Sequence, residues 1–390
     1  MTVRFRALAR RMADIAPFHV MALLARAKEL EAAGRSIIHM EIGEPDFPTA
    51  APIIAAGQRA LAEGRTRYTA AAGLPELRRA ISEHYWIRYG VEVPARRILI
   101  TPGASGALQL ATALLVNPDD RVLLADPGYP CNRHFVRLAD GEAVGLPVGP
   151  ETGYQLTAKL VERYWDSRTA AVLLASPANP TGTVIAPDGL SAIIATAEAR
   201  GGRAIVDEIY HGLSYGAAPQ TALAYSERAL VINSFSKYYG MTGWRLGWLV
   251  APDDCVNDAE KLAQNLFLAA STPAQHAALA AFAPDARAIF EERRAQFQAR
   301  RDFLLPALRE LGFRIPVTPD GAFYLYADCS RFTDDSYSFA LRLLEQTGVA
   351  ITPGLDFGNH LPERHVRFAY TNAIRVLAEG VERLRRALAA

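Results

Sequence analysis

The chain has 390 residues, half of them hydrophobic, with 42 Lys and Arg against 41 Asp and Glu. That is enough length and apolar content for two cores. The near-neutral charge gives no footing for nucleic acid or an anionic membrane surface, and no apolar run nears the roughly eighteen residues of a membrane-crossing helix. Three cysteines (Cys131, Cys255 and Cys329) and eight scattered histidines lack the spacing of a metal site or redox pair, which argues against a structural metal and for a reducing compartment.

In chain order, Met1–Met12 is Arg-rich and free of acids. Such a start fits a transit peptide and lacks the apolar core of a secretion signal; it is expected to be the N-terminal arm of a cytoplasmic protein. Ala22–Glu31 has a helical pattern, Gly-Glu-Pro-Asp-Phe occupies 43–47, and Arg67-Tyr68 opens a turn-rich segment reaching Pro75. Arg97–Thr101, Arg121–Ala125, Ala170–Leu174, Arg203–Asp207 and Leu230–Asn233 read as short buried strands. Most are followed by Gly, Pro and Ser turns and then a helical pattern, as in a largely parallel sheet with helices on both faces. A Gly-rich turn at 101–107 follows the first strand and leads to a helix expected from Ala107. Asp-Pro-Gly-Tyr-Pro (126–130), Ser-Pro-Ala-Asn-Pro-Thr-Gly (176–182), Val-Asp-Glu-Ile-Tyr (206–210) and Ser-Phe-Ser-Lys (234–237) close the others. Carboxyl ends of strands are where open α/β sheets bind ligands. A long amphipathic helix is predicted over Glu291–Leu311, after a break at Pro284. Gly321–Tyr326, Ile351–Gly354 and Val366–Ala369 suggest a small α+β unit with which the N-terminal segment packs. The expected division is an N-terminal segment at 1–47, a large domain at 48–285 and a small domain at 286–390.

Several residues in these turns carry chemistry. Lys237 lies among the hydroxyls of Ser234 and Ser236, eight positions before Arg245 in a Gly-rich run. An amine beside phosphate-binding groups suits a cofactor held both covalently and by its phosphate. Asp207 closes an apolar strand, where a carboxylate is costly unless paired. Gly103-Ala104-Ser105 lets backbone N–H groups close on an anion at a helix N-terminus. Arg367 sits among apolar residues, and its guanidinium fork suits a carboxylate.

Six motifs in this order, from Gly43–Phe47 to Val366–Tyr370, resemble the class I/II aminotransferases of fold type I, the aspartate aminotransferase-like family, over nearly the whole chain. The resemblance implies an α/β fold with a large domain, built on a mostly parallel seven-stranded sheet between helices, and a smaller α+β domain. It implies pyridoxal 5'-phosphate as cofactor and ping-pong transfer of an amino group from an L-amino acid to a 2-oxo acid. Lys237 would be the Schiff-base lysine and proton shuttle, and Asp207 the partner of the pyridinium nitrogen. Asn179 and Tyr210 would reach the phenolic oxygen, and Tyr129 would stack on the ring. Gly103, Ala104, Ser105, Ser234, Ser236 and Arg245 would hold the phosphate; Gly43, Asn179 and Arg367 would hold the substrate. Tyr68 matches the tyrosine that reaches the neighbouring subunit's phosphate, which implies a homodimer.

The same fold also hosts carbon–sulfur β-lyases, the enzymatic alternative. A non-catalytic regulator that binds the cofactor is the other; such regulators add an N-terminal helix-turn-helix domain, and nothing before Ile15 reads as one. Ser105 stands where some aspartate-type relatives carry a Lys, so a neutral or aromatic donor is expected, against walls of Phe18, Tyr129, Tyr326 and Phe368. The expected acceptor is 2-oxoglutarate or pyruvate. Arg26, Arg133 and His134 find no place from sequence alone.

Overall fold

The structure, a computed structural model, describes residues 7–216 and 218–389; the first six residues of the Arg-rich start lie outside the described residues. The strands are β1 (Ile38–His39), β2 (Ile98–Thr101), β3 (Arg121–Asp126), β4 (Glu142–Pro147), β5 (Thr169–Ala175), β6 (Arg203–Asp207), β7 (Leu230–Ser234), β8 (Gly247–Val250), β9 (Tyr324–Asp328), β10 (Val349–Ala350), β11 (Thr352–Pro353) and β12 (His365–Ala369). Seven form one sheet in the order β2-β8-β7-β6-β5-β3-β4. β8 is antiparallel to both its neighbours and the other pairs are parallel. Apolar runs such as Ala-Ile-Val in β6 and Leu-Val-Ile in β7 are buried on both faces, as strands between two helical layers must be. The five strands expected from sequence are present to within a residue or two at each end.

Two strands of this sheet escaped the sequence. β4 is an edge strand whose residues are mostly exposed or half-buried, so it lacks an apolar run. β8 lies within the segment that follows Lys237, where the Gly and Arg residues hid it. Two helix starts also move. The helix after β2 begins at Gly103 rather than Ala107, so the small residues are its first turn. The long helix spans Pro284–Leu311, with Pro284 near its N-terminus, where a missing N–H costs nothing; the proline starts the helix instead of interrupting it.

β11-β12-β9 form a small antiparallel sheet, and β1 pairs in parallel with β10. The helix His19–Ala32 has no cap from its own preceding residue. Its first N–H groups are met instead by Asp356, whose carboxylate accepts from His19 N (2.7 Å) and Val20 N (2.9 Å). Buried Arg300 of the long helix grips Asp46 with both nitrogens (2.7 and 3.0 Å), tying the 43–47 segment down.

The first turn of the helix Gly103–Leu115 reaches the carboxyl ends of the strands because Gly247 lets it. A Cβ on Gly247 would lie 2.7 Å from the carbonyl carbon of Gly103 and 2.8 Å from Ala104 N. Both contacts are backbone and cannot swing away. Gly247→Ala is therefore expected to cost about 1–3 kcal/mol of stability, read as a lower Tm by differential scanning calorimetry. An unchanged Tm would show that helix and strand separate freely.

Candidate active site

A cavity of about 260 Å³ opens at the carboxyl ends of the parallel strands. Gly43, Ala104, Ser105, Tyr129, Asn179, Asp207, Tyr210, Ser234, Ser236, Lys237, Arg245 and Arg367 all line it. Residues from the N-terminal segment, five strand ends and the small sheet thus converge on one space. Gly103 lies just beneath, since a Cβ there would meet the Arg245 guanidinium at 2.7 Å. Tyr68 is not part of this wall and is 83% exposed.

Lys237 donates Nζ–H to the carbonyl of Gly43 at 2.6 Å. Burial disfavours its charge, the cations of Arg367 and Arg245 add to this, and its pKa falls to about 8. Asp207 at the end of β6 has the opposite problem. Burial raises its pKa to about 6, although the Ile209 N–H (3.0 Å) and Lys237 favour its anion. Arg367 is buried in β12. It donates to Asn179 Oδ1 (2.8 Å), the Glu41 carbonyl (2.5 Å) and Thr352 Oγ1 (3.1 Å), while its Nε has no partner. Its guanidinium also lies 4.3 Å over the Tyr324 ring and 4.9 Å over Phe357.

The anion cradle has two walls. One is the first turn of Gly103–Leu115, which has no side-chain cap, so its N–H groups face the cavity end unclaimed. The other is the turn after β7. Ser234 Oγ donates to Ser236 Oγ (3.0 Å) and lies 3.1 Å from the Leu246 carbonyl, and Arg245, in a left-handed conformation, aims across at Gly103. Hydroxyls, free N–H groups and one guanidinium around a space too tight for a Cβ at Gly103 fit a phosphate monoester. Asp207, Tyr129, Asn179 and Tyr210 leave room beside it for a ring with a basic nitrogen. The residues present fit pyridoxal phosphate.

Sequence reasoning missed several wall residues. Tyr324 shares a hydrogen bond with the Tyr210 hydroxyl (2.8 Å) and fills the space a side chain at residue 43 would need, for a Cβ on Gly43 would lie 1.8 Å from its oxygen. It reads in sequence as a core aromatic. Val20, Met21, Leu108, Asp356 and Phe357 also face the cavity. Two expected wall residues do not. Phe368 follows Arg367 on a strand, so it points to the opposite face and packs on Phe313 (5.2 Å). Tyr326 is taken up by His365, stacked at 4.7 Å, and by Phe357. Arg26 is bound to Glu29 and Glu345, and Arg133 donates to the Asp356 carbonyl (3.0 Å) outside the main cavity.

Comparison with known proteins bears on this geometry. The family described as aminotransferase class I and II matches residues 35–384. A valine–pyruvate aminotransferase of Mycobacterium tuberculosis is 40% identical over 374 residues, 95% of this chain and 96% of that protein. A crystal structure of an aminotransferase from Mycobacterium tuberculosis aligns with a TM-score of 0.95 at 40% identity, covering 99% of this chain and all of that one. The aspartate aminotransferase of Thermus thermophilus with maleate aligns at 0.93 and 34% identity, covering 98% of this chain and all of its own.

The depressed pKa of Lys237 predicts unusual reactivity in the cofactor-free chain. A lysine is nucleophilic only when neutral, and Lys237 becomes neutral as pH rises through about 8, well below an ordinary lysine. Acylation of the apoprotein at pH 7–9, followed by peptide mass spectrometry, should label Lys237 ahead of exposed Lys28 and Lys261. Equal labelling at all three would refute the depression.

Proposed function

The chain belongs to the class I and II aminotransferases and is a pyridoxal-phosphate-dependent enzyme of that class; from that premise we propose that it takes the amino group of a neutral, apolar L-amino acid, with Lys237 carrying the cofactor and Arg367 holding the α-carboxylate. The observation behind the donor class is the charge of the cavity wall. Its cations are Lys237, Arg245 and Arg367, and each has a use. The rest of the wall offers Phe18, Val20, Met21, Leu108 and Phe357, with carboxylates at Glu41, Asp207 and Asp356. A distal carboxylate would meet no further cation among the described residues lining this cavity, and desolvating it there would be costly. The relative named for valine and pyruvate supports the same donor class. Pyruvate or 2-oxoglutarate suits the acceptor, since either brings the carboxylate that Arg367 takes.

Pyridoxal phosphate, when bound, supplies an aldehyde for the amino group and a ring that draws electrons from a Cα bond. The protein groups do the rest. The N–H groups of Gly103, Ala104 and Ser105, with Ser234, Ser236 and Arg245, would hold the phosphate. Asp207 would keep a ring nitrogen protonated. Asn179 and Tyr210 would donate to the ring's oxygen, and Tyr129 would pack against the ring. Arg367, braced by Asn179, sets the orientation of the donor, so that its Cα–H faces Nζ of Lys237. With a pKa near 8, that amine can take a proton and give it back near neutral pH.

The site is completed by a second copy of the chain. Tyr68 is 83% exposed and Leu268 is 59% exposed. They lie on connected segments, because Thr272 Oγ1 donates to the Arg67 carbonyl (2.6 Å). An aromatic and an aliphatic side chain left bare together suit a dimer face that carries Tyr68 to the neighbouring phosphate. Three free cysteines fit a cytoplasmic home. No helix among the described residues is long and apolar enough to cross a membrane.

Steady-state comparison of aspartate, alanine, valine, leucine and phenylalanine as donors tests the substrate class. An apolar donor should lead in kcat/KM. Aspartate ahead by tenfold, about 1.4 kcal/mol of transition-state preference, would overturn the proposal. Arg367→Ala should cost both half-reactions about 3–5 kcal/mol, and release of pyruvate and ammonia from cystathionine would point instead to a β-lyase. Mixing Tyr68→Phe with Lys237→Ala protein should give hybrid dimers with more activity than either parent. Light scattering that finds a fully active monomer would remove the shared site.

A further inference from the structure

The segment 39–43 passes between the small sheet and the cavity, and every carbonyl along it accepts a hydrogen bond. His39 O takes Asn372 Nδ2 (2.6 Å), Met40 O takes Ala369 N (2.7 Å), and Ile42 O takes Thr371 Oγ1 (3.5 Å). Glu41 O takes Arg367 Nη2 (2.5 Å) and Thr352 Oγ1 (2.9 Å), and Gly43 O takes Lys237 Nζ (2.6 Å). The arginine and the lysine of the site are thus anchored two residues apart on one strap.

Within this strap lies a charged pair that the reaction itself does not use. The side chain of Glu41 is fully buried. Its Oε1 accepts from His39 Nδ1 at 2.6 Å, and its Oε2 has no partner. His39, 30% exposed, reaches outward with Nε2 to Glu31 at 3.1 Å. The bond to Glu41 raises the imidazole to about 9, so His39 is a cation at neutral pH. A buried carboxylate with one charged partner depends on that partner heavily. If the pair fails, Glu41 is left buried without its charged partner, and relief of that cost disturbs the strap it belongs to.

We propose that His39 and Glu41 are positioning residues for carboxylate recognition: their buried ion pair fixes the strap at Glu41, so that its carbonyl holds Arg367 in place for the substrate's α-carboxylate. This rests on the reading of Arg367 as the carboxylate group. Neither side chain of the pair bonds to a group of the phosphate cradle, so loss of the pair acts first on the carboxylate site.

The test uses the holoenzyme and 4-methylpentanoate, a carboxylate with an apolar tail and no amino group, with binding measured by calorimetry. His39→Gln keeps a donor but leaves Glu41 unpaired, and should weaken binding about tenfold or more. Glu41→Gln retains the fold because no buried charge remains; it should weaken binding about threefold to tenfold as a short charge-assisted bond becomes a neutral one. Affinity of both apoproteins for pyridoxal phosphate should stay within about twofold of the parent, a readout that general loosening would move as well. Carboxylate binding within twofold of the parent in both variants would overturn the proposal, as would an equal fall in cofactor affinity. Arg367→Ala separates the two claims. If it too binds 4-methylpentanoate normally, the assignment of Arg367 is the one that fails.

Discussion

Three of the charged side chains that line the cavity, Lys237, Asp207 and Arg367, are each restrained by neutral groups. Lys237 rests on a backbone carbonyl, Asp207 on a backbone N–H, and Arg367 on an amide, a hydroxyl and a carbonyl. Were Lys237 and Asp207 locked in a direct ion pair, each would be spent on the other and held at an ordinary charge state. Separated, each feels mainly its burial, and their pKa values move toward each other, to about 8 and about 6. Groups so poised are available to a bound molecule that brings its own charges.

The architecture explains how such a cavity is sustained. Polar groups are hard to bury inside a sheet but easy to place at strand ends, where the chain must turn and the backbone supplies donors and acceptors. β2, β5, β6 and β7 each deliver their groups there, and the helix that follows β2 adds unclaimed N–H groups. Glycines set the close approaches. At Gly43 the Tyr324 hydroxyl occupies the side-chain space, and at Gly103 the Arg245 guanidinium does.

Much of this was legible in the sequence because local chemistry and tertiary position agree. Apolar strands ending in Asp207 or Ser234 announce both a buried sheet and its reactive edge. The same logic failed where a residue's role depends on its neighbours. Tyr324 and Tyr326 look alike in a strand, yet only the first meets Tyr210, while His365 and Phe357 claim the second. Alternation alone would have placed Phe368 away from Arg367. β4 was invisible because an exposed edge needs no apolar run. The His39–Glu41 pair looks like two surface residues until Glu41 is found fully buried.

The cap on the helix His19–Ala32 sets an order for making the protein. Its first N–H groups wait for Asp356, and β1 waits for β10, so the helix His19–Ala32 and β1 find these partners only among positions 349–356. During synthesis this amphipathic stretch leaves the ribosome first and docks last, after the central sheet has formed. The chain closes like a clasp, with its two ends meeting to complete the cavity. Chaperones would therefore have most to protect in the N-terminal segment, for as long as the last quarter of the chain is unmade. A truncation that removed residues 349–356 would strip that helix of its cap and β1 of its partner, even though every strand of the large sheet were intact.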